Sequence, residues 1–94
     1  MNKDILNILK SKNYIMPNFL LTNYKKLDLS GDLTILLTYL INLDSPIVCD
    51  YKKFSNETNI SQKEVMGMIN ELSIKKMLEI KVSKNSSGKF EEYI

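Results

Sequence analysis

The sequence predicts a small α+β domain, a winged helix-turn-helix with a helical N-terminal extension and a C-terminal β-hairpin wing. Three observations carry this prediction. Ser61-Gln62-Lys63-Glu64 is a capping box flanked by Ile60 and Val65 in hydrophobic-staple positions, so a helix starts at Gln62. A turn of only about three residues separates that helix from one read over 51–58, which is helix-turn-helix spacing. Beyond it Leu78, Ile80 and Val82 alternate with Glu79, Lys81 and Ser83 as a half-buried strand; Asn85-Ser86-Ser87-Gly88 then turns the chain and 89–94 return.

The remaining elements follow in chain order. Ile5, Leu6, Ile8 and Leu9 have the spacing of one helical face, which predicts a short amphipathic helix over 2–12. Pro17 pushes Met16 toward extended backbone and suits the first turn of a helix over 17–26, with Phe19, Leu20 and Tyr24 inward. Ser30 is placed to cap a third helix ending near Leu43, and Asp32 complements its positive N-terminus. Apolar side chains lie around most of that helix's circumference, which predicts a buried central element. Asp44-Ser45-Pro46 breaks it, Ile47-Val48-Cys49 reads as the edge of a small sheet, and Asp50 caps the helix over 51–58, with Tyr51 and Phe54 inward.

Composition narrows the chemistry. The 94 residues are 44% hydrophobic and 26% charged with a net charge of +2, which suits one globular domain. There is no His, Trp, Arg or Ala, and the surplus of Ile, Lys and Asn is what A/T-rich codons supply. Without histidine, the single Cys49 lacks the usual base for nucleophilic catalysis, and zinc or haem sites have no ligand set. Gly31, Gly67 and Gly88 stand alone, so no glycine-rich loop cradles a phosphate. No cofactor is expected. The longest apolar runs are three residues, far short of a signal-peptide core or membrane span, and with one cysteine this points to the cytoplasm. Glu91 and Glu92 point to opposite strand faces and Asp28 and Asp32 flank a helix start, so neither pair suggests acid/base catalysis.

The stretch Tyr14-Ile-Met-Pro-Asn-Phe-Leu-Leu-Thr-Asn-Tyr-Lys-Lys-Leu27, the buried helix after it, the helix start at Ser61 to Glu64, and Lys75-Lys-Met-Leu-Glu-Ile80 together resemble the N-terminal domain of the DnaD primosomal proteins. The resemblance runs over roughly residues 14–82, and the Pro-opened helix in Ile15 to Tyr24 is its most specific piece. Lys76 departs from the pattern, since the family tends to carry a glycine there to end the helix. Family members usually carry a second, C-terminal domain with the main DNA-binding activity; it is absent from these residues, which therefore resemble a fragment or an isolated domain. The resemblance implies replication initiation and restart, with this domain serving self-association and docking of other primosomal proteins.

The residues test that implication independently. A winged helix that reads duplex DNA presents a basic recognition helix, with Arg the commonest specific base contact. Here the helix from Gln62 buries Val65, Met68, Ile69 and Leu72, and its opposite face collects Lys63, Met66, Gly67, Asn70 and Ile74. Met66, Gly67, Asn70 and Ile74 suit close protein contact better than phosphate, although singly exposed apolar residues are also ordinary. Weak DNA contact is open to Lys52, Lys53, Lys63, Lys84 and Lys89, but Glu91 and Glu92 sit close behind the hairpin tip. Ile5, Leu9, Tyr14 and Met16 have no evident place in a three-helix winged core over 30–94; they are candidates for burial between subunits, or for packing onto their own domain as part of the extension over 1–27. The expectation is a non-enzymatic assembly module that associates with itself, docks replication proteins and binds DNA weakly at most. A winged-helix transcription regulator and a plasmid or phage replication-initiator domain are the competing readings.

Overall fold

The computed structural model describes residues 5–7, 9 and 14–94. Ile5, Leu6 and Leu9 are helical, while the rest of the helix predicted over 2–12, Ile8 included, lies outside the described residues. Four helices follow, α1 (Asn18–Asn23), α2 (Gly31–Ile41), α3 (Tyr51–Thr58) and α4 (Gln62–Ile74), and then the strands β1 (Lys81–Lys84) and β2 (Phe90–Tyr93). The architecture is α+β.

Each cap predicted from sequence is formed. Ser30 Oγ accepts from the Leu33 N–H at 3.1 Å, Asp50 Oδ1 from Lys53 N–H at 3.1 Å, and Ser61 Oγ from Glu64 N–H at 3.2 Å. The Ser61 bond is the half of the capping box that is made; Ile60 and Val65 are both buried beneath it. Between α3 and α4, Asn59 takes the left-handed conformation (φ 58°), which asparagine tolerates better than most residues. That single residue turns α4 across α3.

Two further helix ends close by the same device. The Leu29 N–H reaches Tyr24 O at 2.9 Å with Asp28 left-handed between them, and Met77 N–H reaches Leu72 O at 3.0 Å with Lys76 left-handed. Lys75 Nζ joins the two turns by donating to the Asp28 carbonyl at 3.1 Å. α1 thus ends at Asn23, earlier than the predicted Lys26.

The core gathers Leu33, Leu36, Leu37, Tyr39 and Leu40 of α2 with Phe54 of α3, Val65, Ile69 and Leu72 of α4, and Leu20, Leu29 and Ile60 from the flanking segments. α2 is buried over most of its surface, as predicted, though Ile35 and Ile41 stay exposed. Two inward assignments are corrected. Phe19 is 67% exposed, because a six-residue helix offers one stripe to the core and Leu20 and Tyr24, four apart, occupy it. Val82 is 62% exposed, because Leu78 and Ile80 pack on the core before the strand begins at Lys81, and the hairpin then projects past the core's end.

The hairpin is antiparallel, with Lys81 opposite Tyr93, Val82 opposite Glu92, Ser83 opposite Glu91 and Lys84 opposite Phe90. Residues 47–49 lie along the other edge of β2: Val48 bridges Tyr93, Ile94 N–H donates to Ile47 O at 2.8 Å, and Cys49 N–H donates to Glu92 O at 2.9 Å. The predicted sheet edge is therefore in place, and it ties the α2–α3 connection to the C-terminal strand.

Candidate interaction surfaces

An aromatic ladder links the N-terminal segment to the hairpin through the core. Tyr14 meets Tyr39 edge to face with centroids 5.6 Å apart, Tyr39 meets Phe54 at 5.6 Å, and Phe54 meets Tyr51 at 6.5 Å. Tyr51 Oη then donates to Glu92 Oε2 at 2.8 Å. Burial, reinforced by that carboxylate, holds the Tyr51 phenol well above the ordinary tyrosine range. Burial also raises the Cys49 thiol, with Glu92 adding to the effect, so the thiol is held in its less reactive protonated form.

Tyr39 differs from the others. It is 4% exposed and its hydroxyl makes no hydrogen bond among the described residues. Burial first, and then nearby Glu57, push its phenol well above the ordinary range. The ring borders a shallow, mostly apolar groove of about 230 Å³ that Tyr14, Met16 and Ile35 also line.

The N-terminal segment is also held by hydrogen bonds. Residues 14–17 form no regular secondary structure, and the Asn42 side chain pairs with the Ile15 backbone. Of the predicted association residues, Met16 is half-buried against the core, Tyr14 rests on Tyr39, and Ile5 and Leu9 are exposed. Ile15 (76% exposed), Phe19 and Leu21 extend the exposed apolar set, and sequence periodicity did not single them out. Seven of the fourteen large apolar side chains left exposed among the described residues lie before residue 22. An apolar surface so concentrated marks an interaction site more often than chance exposure does.

A family model for the DnaD N-terminal domain matches residues 16–94. The chain belongs to the DnaD N-terminal domain family. The match extends the resemblance seen over 14–82 through the hairpin to Ile94, and it begins at Met16, so Ile5, Leu9 and Tyr14 precede it. The family ties this domain to DNA replication and the primosome. A comparison with curated proteins finds no match.

On α4 of this DnaD N-terminal domain, Lys63, Met66, Gly67, Asn70 and Ile74 are all exposed, opposite the buried Val65, Ile69 and Leu72. A Cβ at Gly67 would meet nothing within 4 Å, so no packing within the chain calls for glycine there. Lys52, Lys53, Lys84 and Lys89 are exposed as well. They lie at two places, the start of α3 and the hairpin tip, and the Tyr51–Glu92 bond ties α3 to the foot of that hairpin. No helix among the described residues is long and apolar enough to cross a membrane, and no group of three or more Cys, Asp or Glu among them is placed to hold a metal ion.

Proposed function

We propose that this chain is a non-catalytic assembly domain of a DnaD-like replication-initiation protein, a winged helix that associates with itself through its N-terminal segment and docks other replication proteins. The concentration of exposed apolar side chains before residue 22, on a segment anchored at Ile15, carries the reading. A specific dimer interface buries about 1,200 Å² or more, which an amphipathic helix with the segment after it can supply. The winged-helix assignment is supported by the order of three helices and a hairpin, with 47–49 added to the edge of β2. Docking of other proteins falls to the outer face of α4, where Met66 and Ile74 flank Gly67 and Asn70 and the charges are the opposed Lys63 and Glu71.

Duplex DNA binding through α4 is weak and sequence-independent in this reading. The net charge is +2 and the chain has no Arg, so few counterions are released on binding. Light scattering at low and high protein concentration tests the association: the wild type gains mass with concentration, while Ile5→Glu with Leu9→Glu lowers the mass and leaves the helical circular dichroism intact. A wild type that stays monomeric throughout sinks the assembly reading. Tight, sequence-selective duplex binding near physiological salt, lost on Asn70→Ala, supports the transcription-regulator reading in its place.

A further inference from the structure

We propose that one face of the β1–β2 hairpin is a stacking platform for single-stranded nucleic acid, with Phe90 receiving an unpaired base and Lys84 meeting a flanking phosphate. The register fixes the face. Side chains alternate along a strand and opposed residues share a side, so Val82, Lys84, Phe90 and Glu92 stand together. Phe90 is 71% exposed and Val82 beside it is also largely exposed, so a large apolar ring that gains from burial is left in solvent. Lys84 Nζ stands 5.4 Å from the ring centroid, which places a cation at the platform itself.

The carboxylates nearby are turned to other uses. Glu91 belongs to the opposite face, where Asn85 Nδ2 donates to Oε1 at 2.8 Å and Tyr93 Oη to Oε2 at 2.7 Å. Those two bonds hold the Glu91 carboxyl below its usual range. Glu92 Oε2 accepts the Tyr51 hydroxyl at the foot of the hairpin. The tip is stiffened by Asn85 Oδ1, which accepts from the Ser87 and Lys89 N–H groups at 3.0 Å each and from Ser87 Oγ at 2.8 Å, with Gly88 supplying the positive φ. The outer end of this face therefore carries the Lys84 cation beside an exposed aromatic ring, while Lys89 stands with Glu91 on the other face.

That combination is complementary to a polyanion that exposes flat π-faces. Single strands offer base faces, and a base stacks on an aromatic side chain with little sequence preference. A duplex covers its base faces and could use Lys84 alone. The interaction is independent of self-association through the N-terminal segment, which lies elsewhere in the chain.

The chain lacks tryptophan, so Phe90→Trp provides its only indole. Titrating that variant with oligothymidylate and oligouridylate at low salt should quench the emission, and the two arms tell whether DNA or RNA is the strand bound; quenching by either carries the proposal. Anisotropy of a labelled oligothymidylate should show wild-type binding that fades as salt rises and is stronger than binding to a duplex of equal length. Phe90→Ala should weaken it about tenfold. Lys84→Gln should weaken it and flatten the salt dependence. Phe90 lies outside the core, so circular dichroism should match the wild type in every variant. Absence of quenching by both oligonucleotides, or a Phe90→Ala affinity equal to the wild type's, overturns the proposal. A Phe90→Ala variant that binds oligonucleotide normally but loses mass in light scattering assigns the face to protein contact and overturns it too.

Discussion

The Asn42 side-chain amide pairs with both backbone polar groups of Ile15, accepting from its N–H at 3.0 Å and donating to its carbonyl at 2.9 Å. The pair spans 27 residues of sequence and joins the segment before α1 to the C-terminal end of α2. Asn42 Nδ2 also donates to the Thr38 carbonyl at 2.7 Å, so the amide that holds the segment is itself held by the helix. Asn42→Ala removes both contacts to Ile15 and should cost about 1–3 kcal/mol in urea unfolding, two hydrogen bonds at roughly 0.5–1.5 kcal/mol each. In light scattering the same variant should lose mass at high concentration, because the apolar segment is no longer presented in one geometry. A variant that assembles like the wild type would detach the segment's anchoring from association.

The buried Tyr39 hydroxyl makes no hydrogen bond among the described residues, so deleting it removes a desolvated polar group and opens no large cavity. Tyr39→Phe should leave stability unchanged or raise it by about 1 kcal/mol. A loss of that size in thermal or urea unfolding would show that the hydroxyl is satisfied in solution, with Glu57 the nearest acceptor to test.

Tyr39 and Tyr51 both have phenols raised in the folded state, first by burial and then by Glu57 and Glu92 respectively. A folded-state value above the unfolded one means that the stabilisation is fully present below the unfolded value, near 10, and is lost as pH rises through the folded value. Stability should therefore be flat on the neutral side and fall above about pH 10, with ultraviolet difference spectra showing the tyrosines ionising as the chain unfolds. Tyr51→Phe should lessen the alkaline loss. An alkaline unfolding curve identical in the two proteins would remove Tyr51 from this linkage.

Ser61 accepts the Glu64 N–H, whereas Glu64 does not return the bond. Ser61→Ala should cost about 0.5–2 kcal/mol, and Glu64→Ala only the smaller loss of a charge near a helix N-terminus, about 0.3–1 kcal/mol. Because α4 supplies Val65, Ile69 and Leu72 to the core, the loss should appear as a lower urea midpoint for the whole chain. An unchanged midpoint for Ser61→Ala would show the cap to be without weight.

Lys76 holds φ at 61° in the turn that ends α4, a conformation that costs a residue with a Cβ roughly 1 kcal/mol relative to glycine. Lys76→Gly should raise the urea midpoint, while Lys76→Val should lower it. Asp28, at φ 58° in the matching turn after α1, should gain less from glycine, because a short polar side chain tolerates this region.

Local signals settle most of the secondary structure. Ser30, Asp50 and Ser61 each start a helix because the side-chain oxygen answers the backbone N–H three residues on, an interaction that depends on nothing distant. The turn at Asn85 to Gly88 is legible for the same reason. The departure from glycine at Lys76 is visible in sequence because the resemblance to the DnaD domain marks that position, and the positive φ there bears out the strain expected from it.

Direction and placement were not legible to the same degree. Nothing within residues 17–26 says whether Phe19 or Leu20 faces the core; α2 and α4 decide it by offering room for one stripe. Val82 continues the alternation of Leu78 and Ile80, but the core ends before the hairpin does, so its side chain meets solvent. The clamp of Asn42 on Ile15, the bond from Tyr51 to Glu92, and the turning of Glu91 away from Phe90 join residues that are distant in sequence or set by strand register. The sequence by itself determined where α2, α3 and α4 begin and which family the chain resembles, since these rest on short-range hydrogen bonding and periodicity. Only the tertiary structure decided which apolar side chains stay outside the core, because burial depends on the finite surface that neighbouring elements present.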